Sequence, residues 1–175
     1  MGLALFLLRS QAGDIGNVDA DGYLSVTDRK KELIKTSGGK FIAPQPIENS
    51  LKINPLVGAA VVVGDKRKFA CVLIVPNFAL LEDWAKINGV AFASRTELIA
   101  SSGVQTLYEE IVARTNEKLA RFETMKRVVL IPDEFTPENG ALTPTMKLRR
   151  RVVEERYRNQ IEEVYAQAEA AAPAT

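Results

Sequence analysis

The sequence predicts an α+β fold of about four or five strands with helices laid over one face. Three observations carry it. Two β-branched apolar runs, 56–65 and 69–76, are separated only by the basic triplet 66–68. Apolar residues then recur at helical spacing over 77–88 and 103–120. A third apolar run, KRVVLIP, follows at 126–132. Strand, strand, helices, strand is an order that buries one sheet beneath its own crossover helices.

The elements follow in order. GDIGNVDADGYLSVT (13–27) alternates apolar and polar residues around Asp21-Gly22, with Ile15 and Val18 before the turn and Tyr23, Leu24 and Val26 after it. That is the chemistry of a β-hairpin. DRKKELIK (28–35) runs into SGGK (37–40), whose glycine pair interrupts any regular element. Pro44 and Pro46 open a helix over 43–53, because a missing N–H costs nothing in the first turn. LVGAAVVVGD (56–65) and FACVLIVP (69–76) are buried strands, antiparallel by virtue of the short turn. Phe78, Leu81, Trp84 and Ala85 mark one helix, and Leu107, Ile111, Val112 and Leu119 another. Residues 89–102 read equally as loop or as a further short helix. DEFTPENGALTPT (133–145) is a turn-rich loop, a charged helix is predicted over 146–168, and AEAAAPAT is a frayed tail.

Composition excludes several function classes. Lys plus Arg total 23 against 22 for Asp plus Glu, a net charge of +1, which supports neither nucleic-acid binding nor charge-driven membrane attraction. There is no histidine, so imidazole metal sites and His-based triads are out. The single cysteine, Cys71, lies inside an apolar run and reads as a buried strand thiol. It allows no disulfide within the chain, in keeping with a reducing compartment. At the N-terminus, LALFLL (3–8) is far short of the ~20 residues a membrane span needs, and Arg9 follows the apolar run instead of preceding it as in a secretory signal. Phe6 stands where myristoylation wants Ser or Thr, so residues 1–11 read as the loose edge of a fragment.

Two polar islands lie outside the core pattern. One is Asp14 with DRKKELIKTSGGK (28–40); the other is ENGALTPTMK (138–147). Carboxylates accept hydrogen bonds from ribose hydroxyls, Arg and Lys stabilise phosphates, and a glycine pair lets backbone approach a ligand. An EF-hand register also exists, with Asn17, Asp19, Asp21, Gly22, Ser25 and Asp28 on loop positions 1, 3, 5, 6, 9 and 12. The Asp in place of a bidentate Glu at the last position, and the absence of flanking helices, weigh against calcium. KLRRRVVEERYR (147–158) offers a basic helical side, with Lys147, Arg150, Arg151 and Arg158, for a non-catalytic binding module. Glu154, Glu155, Glu162 and Glu163 answer those charges at helical spacings, so a solvated helix is the plainer reading.

GDIGNVDADGYLSVTDRKKELIKTSGGKFIAPQPIENSL closely resembles the junction between core and lid in long-chain acyl-CoA synthetases, AMP-forming enzymes of the adenylate-forming superfamily that includes firefly luciferase. NGALTPTMKLRRR resembles the closing motif of the same family, and the match runs in order over most of residues 12–157. The resemblance implies a C-terminal lid domain, a small mixed β-sheet with flanking helices joined to a core by the hairpin. It divides the chain into a fragment edge (1–11), hairpin and hinge (12–31), lid (32–168) and loose tail (169–175).

It further implies roles for particular residues. Asp14 would hold the ribose hydroxyls of ATP or the acyl-adenylate, and Arg29 would make the second ribose and phosphate contact. Lys31 would be the hinge, Gly38 and Gly39 would line the pantetheine tunnel of CoA, and Lys147 would reach the α-phosphate and acyl carboxylate during adenylation. The implied ligands are fatty acid, ATP/AMP and CoA, with magnesium riding on the ATP and held mainly by the core. The implied partner is an N-terminal core domain. The expected location is the cytoplasm, with peripheral association at the inner face of the membrane.

Two departures bear on activity. Ala12 stands where the family usually has Thr, and the residues upstream of it do not resemble the family's aromatic-rich segment. The sequence also contains no Ser/Thr/Gly-rich loop for the ATP β- and γ-phosphates, so the chain is expected to be inactive alone.

Overall fold

The computed structural model describes residues 14–18, 24–29 and 32–171. Its order is β1 (Asp14–Val18), β2 (Leu24–Arg29), β3 (Ile34–Lys35), β4 (Phe41–Ile42), α1 (Pro44–Leu51), β5 (Val57–Val63), β6 (Ala70–Pro76), α2 (Phe78–Ile87), α3 (Arg95–Ala100), α4 (Ser102–Asn116), β7 (Met125–Leu130), α5 (Arg150–Arg156) and α6 (Arg158–Ala170). The chain forms the expected small mixed sheet with flanking helices after a pair of antiparallel strands, and its strands fall into three small sheets, β1-β2, β3-β4 and β5-β6-β7. Sequence spacing could not show that the short β3 and β4 pair only with each other.

The core is the three-stranded sheet. β6 lies in its middle, antiparallel to β5 and parallel to β7. All seven residues of β6 are buried, because both its edges are paired and both its faces covered. A parallel pair requires a long crossover, and α2, α3 and α4 supply it. Asn116, at the end of α4, hands the chain to β7: its side-chain amide donates to Met125 O and accepts from Met125 N, both at 2.9 Å. Tyr108 on α4 is fully buried and donates to Leu56 O at 2.7 Å, which ties the crossover to the start of β5. Burial pushes its phenol well above the ordinary range. Cys71 is a buried strand thiol, as read from the sequence.

Three local differences have physical causes. Within 89–102 there is a short helix, α3, started by Ser94, whose hydroxyl accepts from Glu97 N at 3.1 Å while Glu97 Oε2 accepts from Ala93 N at 2.7 Å. This is close to a capping box, and Ser-x-x-Glu was readable at 94–97. The charged helix expected over 146–168 begins only at Arg150 and breaks at Tyr157. Tyr157 is buried and donates to Asp133 Oδ2 at 3.2 Å, so tertiary contacts at this residue override the continuous helical propensity. Finally, α6 persists through Ala170, two residues into the segment read as tail.

The hairpin at the N-terminal side has its strands where the alternation put them, with a bulge between Ile15 and Gly16. Its Asp21-Gly22 turn lies outside the described residues. Asn17 pairs with Ser25 across the ladder, so the stretch that matched an EF-hand register is an antiparallel hairpin. No helix among the described residues is long and apolar enough to cross a membrane.

Candidate functional site

Lys147 does not start a helix. It closes a second, tighter hairpin that leads into α5. Leu142 and Leu148 form an antiparallel bridge, Arg149 N donates to Ala141 O, and Thr143 N donates to Lys147 O, both at 2.8 Å. The turn is completed by Met146 N to Thr143 O at 2.8 Å and Lys147 N to Thr143 Oγ1 at 3.0 Å. A three-residue loop of this kind needs one left-handed residue, and Met146 provides it at φ 60°. Upstream, Asn139 holds the loop: its amide oxygen accepts from Thr136 N and Ala141 N at 3.1 Å, and its amide nitrogen donates to Glu134 O at 2.7 Å. The exposed Glu138 carboxyl is held below its ordinary range by its own backbone N–H and the Thr136 hydroxyl. Lys147 itself is exposed, at the end of this loop.

Met146 is 66% exposed and carries a side chain where glycine would be unstrained. Met146→Gly is therefore expected to relieve about 1–2 kcal/mol of left-handed strain against an entropic cost of about 0.5–1 kcal/mol. A melting temperature higher by ~2 °C in calorimetry is the expected result; a fall would show that the methionine side chain holds the turn.

Behind the lysine hairpin lies a buried ion pair. Arg150 Nη1 and Nη2 donate to Glu48 Oε1 and Oε2 at 2.6 and 3.1 Å, and Nη1 also donates to Val62 O at 2.8 Å. Val62 N returns a bond to Glu48 Oε1 at 2.7 Å. Burial works against the Arg150 charge, but the Glu48 carboxylate more than offsets it and keeps the guanidinium ionised. Removing either partner alone strands a buried charge, at about 3–5 kcal/mol. Sequence reading missed this pair. The available signal was Glu48 itself, a carboxylate on the same helical side as Ile47 and Leu51, both of which are buried. The basic helical side over 147–158 reads from sequence as solvated and answered by its own glutamates; Arg150 is paired with Glu48 of α1 instead.

The glycine loop is the tip of the β3-β4 ribbon. Thr36 closes it, with N to Lys40 O at 2.9 Å and its hydroxyl both donating to Lys40 O and accepting from Lys40 N at 3.2 Å. Gly39 has φ +76°, and a Cβ there would meet nothing within 4 Å, so its backbone faces open space. The ribbon is fixed to the β5-β6 turn by Lys35 N to Asp65 Oδ1 at 3.1 Å, Lys66 N to Lys35 O at 2.7 Å and Ser37 N to Arg67 O at 2.9 Å. Two exposed rings flank it, Phe41 with Lys35 Nζ 5.6 Å from its centroid and Phe122 with Lys40 Nζ at 6.0 Å.

The two islands meet only in part. An open groove of about 1180 Å³ is lined by Lys147, Glu48, Arg150 and the first described lid residues Glu32, Leu33 and Ile34, whereas Gly38 and Gly39 lie outside it. Of the other residues singled out in the sequence, Asp14 and Arg29 are Cα partners across the β1-β2 ladder, and Lys31 lies outside the described residues.

Comparison with known proteins places this geometry. A family model described as the AMP-binding enzyme C-terminal domain matches residues 31–169. The long-chain-fatty-acid–CoA ligase FadD15 of Mycobacterium tuberculosis is 38% identical over 156 residues, covering 89% of this chain and 26% of the ligase. Long-chain-fatty-acid–CoA ligase 1 of Schizosaccharomyces pombe is 33% identical over 162 residues, covering 90% of this chain and 24% of that one. Among solved structures, the A domain of the carboxylic acid reductase from Segniliparus rugosus, in complex with AMP and a co-purified carboxylic acid, superposes with a TM-score of 0.67 at 27% identity, over 89% of this chain and 23% of that one. The chain spans about a quarter of the length of the curated relatives it matches.

Proposed function

The chain belongs to the AMP-binding enzyme C-terminal domain family, and from that premise we propose that it is the lid of a long-chain fatty acid–CoA ligase. The reaction has two halves: fatty acid and ATP give acyl-adenylate and pyrophosphate, then CoA displaces AMP to give the thioester. The single observation that carries the reading is the lysine hairpin, which presents an exposed Lys147 from a hydrogen-bonded turn that lines the groove. Joining a carboxylate to the α-phosphorus of ATP brings two anions together. An ammonium held between them stabilises the charge built in transit, with no proton to move.

The remaining roles belong to the same proposal. Asp14 and Arg29, opposite each other in the hairpin ladder, hold the ribose and phosphate of the nucleotide. Gly38 and Gly39 offer bare backbone to the pantetheine arm of CoA. The glycine loop lies outside the Lys147 groove, so a lid that offers each in turn to one reaction centre would reorient, with Lys31 as the hinge. Among the described residues no group of three or more His, Cys, Asp or Glu is placed to hold a metal ion, and the magnesium that accompanies ATP belongs with the N-terminal core domain. That core is the partner, and the cytoplasm the site of action.

The chain alone is expected to be folded but inactive, because its sequence carries no loop for the β- and γ-phosphates. Circular dichroism with ATP–pyrophosphate exchange on palmitate checks both halves of that statement. Exchange above a no-protein blank would count against the assignment as a lid.

A further inference from the structure

We infer that Glu48 and Arg150 are positioning residues for Lys147: they set the direction in which the lysine hairpin leaves the lid. The inference rests on the reading of Lys147 as the adenylation lysine.

Arg150 lies three residues beyond Lys147, and three of its four terminal N–H groups are committed to Glu48 and Val62 O, so most of its donor capacity goes into the fold. Its Nε is buried without a hydrogen-bond partner. A buried ion pair gives little net stability compared with an apolar pair of similar volume, and an orphaned N–H lowers the return further. What the arrangement supplies is geometry. A planar bidentate fork fixes the guanidinium in angle as well as distance, and Val62 N and O lock that fork to the central sheet. Glu48 is also the acidic residue of the helix that follows the glycine loop and β4. One ion pair thus keeps the lysine hairpin in register with the segment that carries Gly38 and Gly39.

The test uses two variants, Arg150→Lys and the double Glu48→Leu/Arg150→Met, the second removing both charges so that neither is stranded. In this chain, NMR order parameters at 143–148 are expected to fall below about 0.6 while the sheet stays near 0.85. In a full-length ligase carrying the chain as its C-terminal segment, acyl-adenylate formation is expected to drop about 10²-fold in kcat with KM for ATP nearly unchanged, since a displacement of ~1 Å costs that much. Thioester formation from supplied acyl-adenylate should hold. The same substitutions in a Lys147→Ala background should cost no more than about twofold, because the residues act through the lysine. Order parameters unchanged in both variants, or an equal loss with and without Lys147, would overturn the inference. Loss of order with adenylation indifferent to Lys147 would instead sink the reading of the lysine. If the double variant does not fold, Arg150→Lys, which keeps charge and most of the volume, carries the same comparison.

Discussion

Lys147→Ala in a full-length ligase carrying this chain is expected to lower acyl-adenylate formation roughly 10²–10³-fold, the usual loss for one preorganised charge-stabilising donor. Thioester formation from supplied acyl-adenylate should stay near the unsubstituted rate. The asymmetry follows from placement: Lys147 lines one groove, and the glycine loop lies outside it. The fold should survive, because the hairpin is held by backbone bonds and by Thr143, with the lysine side chain exposed. Lys147→Arg should recover only part of the rate. A guanidinium keeps the charge but spreads it over a planar fork that does not fit between two anions as a compact ammonium does. Rapid-quench measurement of each half-reaction separates these outcomes. Equal damage to both halves would mean that Lys147 serves both orientations or only shapes the hairpin.

How much of this was legible in the sequence depended on the range of the interactions. β6 and most of β5 announced themselves because buried strands write continuous β-branched runs, and β7 by the shorter apolar run Val128–Leu130 after its exposed Lys126 and Arg127. The hairpin was legible from alternation around Asp21-Gly22. The helix over 146–168 was not, because charge and propensity there are helical while two tertiary facts override them. Met146 is held left-handed by the Leu142–Leu148 bridge, and Tyr157 is drawn to Asp133. The candidate site residues were proposed from resemblance, whereas Glu48–Arg150 spans 102 positions and leaves only a misplaced carboxylate as its trace. Short-range chemistry is written locally; a long-range ion pair is not.

Lys147 lines a groove from which Gly38 and Gly39 are absent. The lysine hairpin and the glycine loop sit on one lid body, each fixed to the β5-β6 region by its own bonds: Arg150 to Val62 O, and Lys35 N to Asp65. Neither can travel to the other's place without unmaking the lid. If both act at one reaction centre, the lid must move as a rigid body, with the change absorbed by a few backbone dihedrals outside it.

Lys31→Pro is the substitution that isolates that movement. Lys31 stands between Arg29, the last residue of the hairpin, and Ile34, the first strand residue of the lid. Proline there fixes φ near −65° and removes an N–H. If the lid adenylates in one orientation and passes the acyl group to CoA in another, the variant is trapped in the first. Acyl-adenylate then forms near the normal rate and accumulates, while thioester output collapses. A single-turnover quench with labelled ATP reads both species in one experiment. Lys30→Pro, one residue off the pivot, is the control for proline merely disrupting the segment: it should not reproduce the pattern of rapid adenylation with blocked transfer. Thioester output that follows adenylate formation at the usual ratio in Lys31→Pro, or both halves slowed alike with the fold intact, would show that the lid does not turn about this residue.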